Sequence, residues 1–387
     1  MRIKKSKSKL VVSALIAAAL VVVFSFIYQG WIKGDMSDFG VPYRNALRIM
    51  TGETLYRVED GHLQYKYAPV SALFYVPLAL LPFEAAKVVW YCLELVLLFA
   101  VFWLSYRLLP DKKRGPWFVL SFSLLVMLKF IGREMELGQV NILIVFILTS
   151  MLAAIVKTRD VQAGVLWAFS LFFKPYALVF LPYFVLKKKF RIVAVGTAAL
   201  AAGLAVPVLF YGVPGNFEVL KEWISTLSLS TPGLMAVGDN ASLLAFLRKV
   251  LPGGIAHLDG ILWLAFGATA AGVFLWMMGK AKKDRVRSPE ILEAAFLMIL
   301  IPVLSPLGWY YNYLYALLAV VVIMNNISTF SRGWKYVTAV DLIIIGGTLR
   351  EVLGKTLFRF YTHRSLAFVN FLVLLVVLIY TRAKKSA

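Results

Sequence analysis

Acidic residues are scarce in this chain. Only 20 Asp and Glu stand against 41 Lys and Arg in 387 residues, and charged residues of both signs make up 16% of the total. A soluble domain carries nearer a quarter. Cysteine is almost absent: the single Cys92 lies in a hydrophobic run, which excludes a disulfide or a cysteine-ligated metal site within one chain. The histidines are His62, His257 and His363, none at ligand spacing to another, which excludes a histidine-based metal centre. There is no P-loop, no dinucleotide-binding glycine pattern and no Ser/His/Asp arrangement. No heptad, short-period repeat or duplicated half is visible, which speaks against the repeat architecture of many secondary transporters.

What fills the chain instead is hydrophobic residues, at 61%. Runs such as Leu10–Tyr28, Ile192–Tyr211, Leu258–Gly279 and Ser365–Tyr380 are long enough, or nearly so, to cross a bilayer core. The expected fold class is an all-α polytopic membrane protein. Between the runs, basic residues cluster at Arg2–Lys9, Lys112–Arg114, Lys187–Arg191, Lys280–Arg287 and Arg382–Lys385. Clusters of this kind set orientation and meet anionic headgroups. None is interleaved with exposed aromatics in a soluble segment, so nucleic acid is not indicated as a partner. The run after the basic N-terminus reads as a retained signal anchor.

Alternating the clusters gives about 12 spans with both termini cytoplasmic, as one integral membrane domain over residues 1–387. Three external segments follow: 30–67, 212–240 and a basic loop at 350–364. The first is the most polar stretch of the chain and holds Asp35, Asp38, Glu53, Glu59 and Asp60. Its middle reads as an amphipathic juxtamembrane helix, with Val41, Asn45 and Arg48 falling away from Tyr43, Leu47 and Met50 and with Pro42 in its first turn. The segments 68–81 and 241–251 are short for a crossing; they read as re-entrant or tilted.

This topology gathers a polar set outside: Asp35 and Asp38, then Arg133, Glu134, Glu136, Gln139 and Asn141, then Lys174, then Asp239 and Asn240. Trp309, Tyr310, Tyr311 and Asn312 follow, and last Arg350, Glu351, Lys355, Arg359, His363 and Arg364. External cations defy the positive-inside bias, and an anionic lipid-linked ligand would account for them. Asp38 reads equally as a helix cap or as a base. Asp35 and Asp38 together form a loose carboxylate pair for a divalent metal, a weak site without further ligands. Glu94, Glu293 and Asp341 lie in or beside hydrophobic runs, where a charge is either paired with a helix-end Lys or Arg or serves transport or catalysis.

Five elements in order across residues 10–325 resemble glycosyltransferase family 87. They are Asp38-Phe39 leading to Tyr65-Lys66-Tyr67-Ala68-Pro69; Gly138-Gln139-Val140-Asn141; Ala163-Gly164 through Lys174-Pro175; Asn240-Ala241-Ser242-Leu243; and Ser305-Pro306-Leu307-Gly308-Trp309. After the last of these the family often carries histidine, where this chain has Tyr310, Tyr311 and Asn312.

The resemblance implies a bundle of the GT-C type and a mannosyltransferase-like transfer of a sugar from a polyprenyl-phosphate donor to a glycan or glycolipid at the outer face of the inner (plasma) membrane. It implies Asp38 as general base, with no cofactor required. Candidates for the lipid phosphate are Lys174, Arg350, Lys355, Arg359, Arg364 and Arg133. Candidates for sugar and acceptor are Tyr43, Tyr67, Gln139, Asn141, Asn240, Trp309 and Tyr310. The alternative is a lipid-linked glycan flippase or small-solute transporter working through Glu94 and Asp341.

Overall fold

The structure is a computed structural model that describes residues 22–384. The expected first span, Leu10–Tyr28, and the basic residues before it therefore lie largely outside the described residues. The end of that span is helix α1, Val22–Ile32. The chain then turns through Met36 into α2, Ser37–Met50, and passes a loop to the short α3, Ser71–Ala79. The long helices α4, Phe83–Leu108, and α5, Pro116–Leu137, follow. Next come α6, Asn141–Val156, and the hairpin of α7, Asp160–Phe173, with α8, Pro175–Leu186. The second half comprises α9, Phe190–Ala205; α10, Val208–Ser230; α11, Leu243–Val250; α12, Asp259–Lys283; and α13, Glu290–Leu304. It closes with α14, Tyr310–Thr329; α15, Arg332–Gly347; α16, Arg350–His363; and α17, Ala367–Ala383. Among the described residues the extended pairing is one isolated antiparallel bridge, Asn240 with Trp309.

A helix that is apolar all round belongs in a protein core or in lipid. Burial separates the two cases here. Helices α6, α13 and α14 are buried on nearly every face and form the centre of the bundle. Within its most apolar window α14 is 78% buried, whereas α12 is only 17% buried. The outward apolar surface of α12 is therefore suited to lipid rather than to protein.

By length and composition three helices among the described residues can cross a membrane, α4, α12 and α14, or five if the bent pairs α9–α10 and α16–α17 each count as one span. Helices α6 and α7, with 16 and 14 residues, are short for a crossing of the bilayer core. Two segments expected to be loops are helical instead. The segment 212–240 is not an open loop, because α10 runs helically to Ser230 after a break at Gly212, where φ is 66°. Its glycine and proline punctuate the start of a helix instead of preventing one. The segment 350–364 is likewise helix α16, set at 71° to α17.

Helix α2 is amphipathic as expected, but its faces are assigned differently. Phe39, Pro42, Ala46 and Ile49 are buried together with Asn45, while Leu47 and Met50 are exposed. Asn45 can be buried because its amide donates to the Val41 carbonyl at 2.9 Å, which satisfies the polar group locally. Phe39 anchors the face by stacking on Phe83 and Trp90, with ring centroids 6.1 and 5.6 Å away.

Of the three intramembrane acids, Glu293 is paired as expected, with Lys187 at 2.8 Å. Asp341 accepts from the Asn370 amide at 2.8 Å, not from a cation. Glu94 is buried with both carboxyl oxygens unpartnered.

Candidate active site

One large cavity, of about 2500 Å³, opens among α1, α2, α4, α5, the loop before α3, the α7–α8 junction and the segments that flank α14 and α16. Asp38 lies in its wall, in the first turn of α2. The helix is not capped by Asp38. Its N-cap position is Met36, held in the left-handed region at φ 56°. The neighbouring Asp35 accepts the Ser37 backbone N–H at 3.2 Å. Asp35 lies outside the cavity wall, and no group of three or more metal-ligating side chains gathers among the described residues.

The end of α5 brings a partner to Asp38. Gly138 terminates the helix at φ +67°, and a Cβ there would stand 2.7 Å from the Cβ of Phe39. Only glycine combines that dihedral with that close approach. Gln139 is thereby set beside Asp38, and its side-chain amide donates to the Asp38 carboxylate. The same amide lies 3.3 Å from the Tyr311 hydroxyl.

A continuous polar chain runs inward from this contact. Lys174 donates to Gln139 Oε1 at 3.2 Å and to Asn141 Oδ1 at 2.9 Å. Tyr315 donates to the same Asn141 oxygen at 3.1 Å. The Asn141 amide donates to the buried Glu134 carboxylate at 2.8 Å, and the Ile142 N–H donates to it at 3.3 Å. Glu134 thus caps the start of α6, where free backbone N–H groups favour an anion. Lys174 itself sits at the α7–α8 break, fixed by Pro175 and by the Trp167 indole, which donates to the Ala177 carbonyl at 2.8 Å. Its ammonium also lies 5.7 and 5.9 Å from the ring centres of Tyr176 and Tyr311.

Lys66 reaches the cavity from the loop before α3. Burial lowers its pKa from the ordinary lysine range, and the nearby Asp38 charge opposes that shift in part. Two lysines and two carboxylates therefore meet at this end of the cavity.

The remaining expected residues divide. Tyr67, Arg133, Trp309, Tyr310 and Arg350 line the cavity. Arg133 is engaged by Glu136 at 2.8 Å. Tyr43 is not in the wall: its hydroxyl donates to the Leu81 carbonyl at 2.8 Å and its ring packs edge-on against Phe83. Asn141 lies behind the wall and acts through Lys174.

Asn240 is fully buried. Its amide nitrogen donates to the carbonyls of Met235 and Pro306 at 3.1 and 2.8 Å, and its oxygen accepts from the Ser242 and Gly308 N–H groups, both at 3.1 Å. It welds two motif segments together and has no atom left for a sugar. Ser242 completes the motif as the N-cap of α11, accepting the Ala245 N–H at 3.1 Å. Lys355, Arg359 and Arg364 are exposed and outside the cavity wall, to which α16 contributes Phe358 and Thr362 instead.

Lys66, Lys129, Tyr176 and Tyr311 line the cavity but were not among the candidates read from the sequence, and Glu134 stands just behind them. Lys66 had a signal, since it lies inside the Tyr65–Tyr67 motif. Lys129 had another, as a cation within the hydrophobic run of α5.

Residues 65–306 match the sequence model of Glycosyltransferase family 87. The chain is 23% identical over 275 residues to the polyprenol-phosphate-mannose-dependent alpha-(1-2)-phosphatidylinositol pentamannoside mannosyltransferase of Mycolicibacterium smegmatis, covering 71% of this chain and 64% of that protein. It is 25% identical over 289 residues to the polyprenol-phosphate-mannose-dependent alpha-(1-2)-phosphatidylinositol mannoside mannosyltransferase of Mycobacterium tuberculosis, covering 70% of this chain and 65% of that protein. The matched stretch thus spans just under two thirds of each relative. No solved structure matches the chain.

Proposed function

Since this chain belongs to glycosyltransferase family 87, we propose that it transfers a sugar, mannose or a close analogue, from a polyprenyl-phosphate donor to a glycan or glycolipid acceptor. The observation that carries this reading is the Asp38 carboxylate in the wall of a large cavity, held by Gln139 and backed by Lys174. The names of the two relatives supply the donor class and the kind of acceptor.

The chemistry assigns a role to each group. An acceptor hydroxyl oxygen attacks the anomeric carbon, and its proton passes to Asp38. The bond from that carbon to the phosphate oxygen breaks, and polyprenyl phosphate leaves with the electron pair. Gln139 holds the carboxylate with its lone pairs directed at the acceptor, as a positioning residue. The rings of Tyr67, Trp309 and Tyr311 offer flat apolar faces for the sugar. Cations in the wall stabilise the charge that grows on the phosphate, so no metal is needed to do so.

In this reading the cavity opens at the external face of a cell's inner (plasma) membrane, both termini are cytoplasmic, and short helices add to the long ones to give about twelve crossings. The transport alternative has less support. Asp341 accepts from Asn370, and Glu94 is not in the wall of the large cavity.

The test is sugar transfer by the full-length protein in proteoliposomes, with radiolabelled polyprenyl-phosphate mannose and a lipid-extract acceptor. Asp38→Asn keeps the shape and the Gln139 contact but removes the base, and should lower turnover by about 10²- to 10⁴-fold. Full activity of a well-folded Asp38→Asn protein would sink the assignment.

A further inference from the structure

The cavity has a second cationic pole, which is built differently from the first. Lys129 projects from α5 into the cavity wall. Its ammonium donates to the Thr348 hydroxyl and lies 4.9, 5.0 and 5.6 Å from the ring centres of Phe130, Tyr310 and Tyr361. Lysine has three N–H donors. Thr348 takes one, and no other oxygen or nitrogen acceptor meets the rest among the described residues. Among the described residues no carboxylate pairs with Lys129. Arg350, two residues beyond Thr348, lines the same wall and is also free of an ion pair among the described residues. Glu351 shares that wall without pairing with either cation.

The contrast with Lys174 decides which pole is open to an anion. Lys174 is already tied to Gln139 and Asn141, with the Asp38 and Glu134 carboxylates one contact further on. A cation caged by aromatics and lacking a counter-ion is costly at this depth, and an anionic ligand would relieve that cost.

Below Lys129 the cavity becomes an apolar groove between α4 and α5, lined by Leu95, Phe99 and Trp103 on one side and Trp117, Leu124 and Leu128 on the other. Trp117 is 83% exposed and Phe99 71%, so the groove is open along its side. From Trp117 to Leu128 it extends for about 17 Å at helical rise. A chain of apolar carbons lying in it would end where Lys129 begins. On the other side, Tyr310 sits over Lys129 and the next residue, Tyr311, sits over Lys174. The tyrosine pair therefore separates the free cation from the Asp38 end.

We infer that the phosphate of the lipid-linked donor seats on Lys129 and Arg350, with its polyprenyl chain in the α4–α5 groove and its sugar reaching past Tyr310 and Tyr311 toward Asp38. This rests on the donor class proposed above. The leaving phosphate and the base would then meet the sugar from different parts of the cavity, with Tyr310 and Tyr311 between the two lysines.

The test needs no turnover. Full-length protein in detergent is titrated with polyprenyl monophosphate, with the matching polyprenol and with phosphatidic acid, and binding is followed by quenching of the groove tryptophans. In parallel, Lys129 is labelled with an amine-acylating reagent and read by mass spectrometry. Polyprenyl monophosphate should bind about tenfold more tightly than the alcohol. It should protect Lys129 from labelling, while the alcohol and phosphatidic acid do not. Lys129→Met should lose that tenfold, and Lys129→Arg should keep most of it. Equal binding of alcohol and phosphate, unchanged affinity in Lys129→Met, or equal protection by phosphatidic acid would overturn the inference. The labelling arm uses the unaltered protein, so a misfolded variant leaves it decisive. If the wild type transfers no sugar and yet Lys129 is protected, the proposed function fails and the phosphate site stands.

Discussion

Gln139 holds Asp38 from one side and Lys174 from the other: its amide nitrogen donates to the carboxylate, and its oxygen accepts from the ammonium at 3.2 Å. One neutral side chain thus keeps a base and a cation from collapsing into a direct ion pair. If Asp38 must take a proton, this spacing matters, because a carboxylate locked on Lys174 would be a poor acceptor. Gln139→Ala should lower turnover by about 10²-fold through lost orientation. Gln139→Glu removes the donor and sets a like charge against Asp38, so it should lose more than the alanine variant despite its closer shape. Initial rates, with unfolding midpoints for each protein, separate the two. Equal activity of all three would show that the contact is incidental.

The motif Asn240–Leu243 reads differently from a sugar site, and stability is the measurement that tells. Asn240 satisfies five backbone groups between the 234–242 segment and the 306–308 turn, counting a longer contact to the Leu234 carbonyl at 3.4 Å. Asn240→Ala strands buried polar groups at a cost of about 1–3 kcal/mol each where no water replaces the amide. Gly308→Ala should do comparable harm by sterics, since a Cβ there would lie 2.1 Å from the Pro302 carbonyl oxygen. Both variants should lower the thermal midpoint. Residual folded protein should keep its KM for donor, which a sugar-binding role for Asn240 would not allow.

How much of this was legible beforehand depends on whether a residue's role follows from its chemistry or from its partners. The polar character of residues 30–67 and the burial of apolar helices follow from periodicity and composition, and both were visible. Asp38, Gln139 and Lys174 could be nominated because they are polar residues in an apolar chain. Asn240 was nominated on the same ground and turned out to be buried, because nothing local shows that Pro306 and Gly308 would fold over it. Lys355, Arg359 and Arg364 read from the sequence as candidates for the lipid phosphate, because a basic loop assigns its cations no face. In the helix α16 and at its C-cap they lie outside the cavity wall, and Phe358 and Thr362 line it instead. Lys129 sits in a hydrophobic run and carries the same signal as Glu94, Glu293 and Asp341, but its aromatic partners Tyr310 and Tyr361 come from segments distant in the chain.

The loop that carries Lys66 depends on a cross-brace and should loosen in acid. Arg48 on α2 grips Asp60 through both guanidinium nitrogens, at 2.5 and 3.0 Å. That hydrogen bonding holds the Asp60 carboxyl below its ordinary pKa. A carboxyl with a depressed folded pKa contributes stability that is complete above the unfolded value, about 3.9, and fades as pH falls through the folded value. Limited acid-protease cleavage within residues 51–67 should therefore rise as pH drops below about 4. With a protease active at neutral pH, Asp60→Asn should already show raised cleavage of the same segment, by about fivefold, the equivalent of roughly 1 kcal/mol for a pair at the surface. It should also be flatter across the acid range. A wild-type-like acid profile in Asp60→Asn would assign the acid sensitivity to another group.

At the opposite end of the bundle a buried ion pair sets up a reversal between single and double variants. Glu293 is fully buried in α13, where it takes Lys187 at 2.8 Å and the Tyr183 hydroxyl at 3.1 Å. Lys187 follows the end of α8, so the pair ties the α7–α8 hairpin, and with it Lys174, to the central helices. Lys187→Met removes one partner and leaves a carboxylate in an apolar surround, which should cost about 3–5 kcal/mol. Glu293→Gln leaves a smaller problem, since Lys187 is partly exposed and can turn to solvent. The double variant, Lys187→Met with Glu293→Gln, places a neutral amide beside Tyr183 and should recover most of the loss. Denaturant-induced unfolding in detergent measures all four corners of the cycle. If Lys187→Met alone is no less stable than the double variant, the pair does not anchor the hairpin. Any activity lost on changing Lys187 would then have to arise elsewhere than in the placement of Lys174.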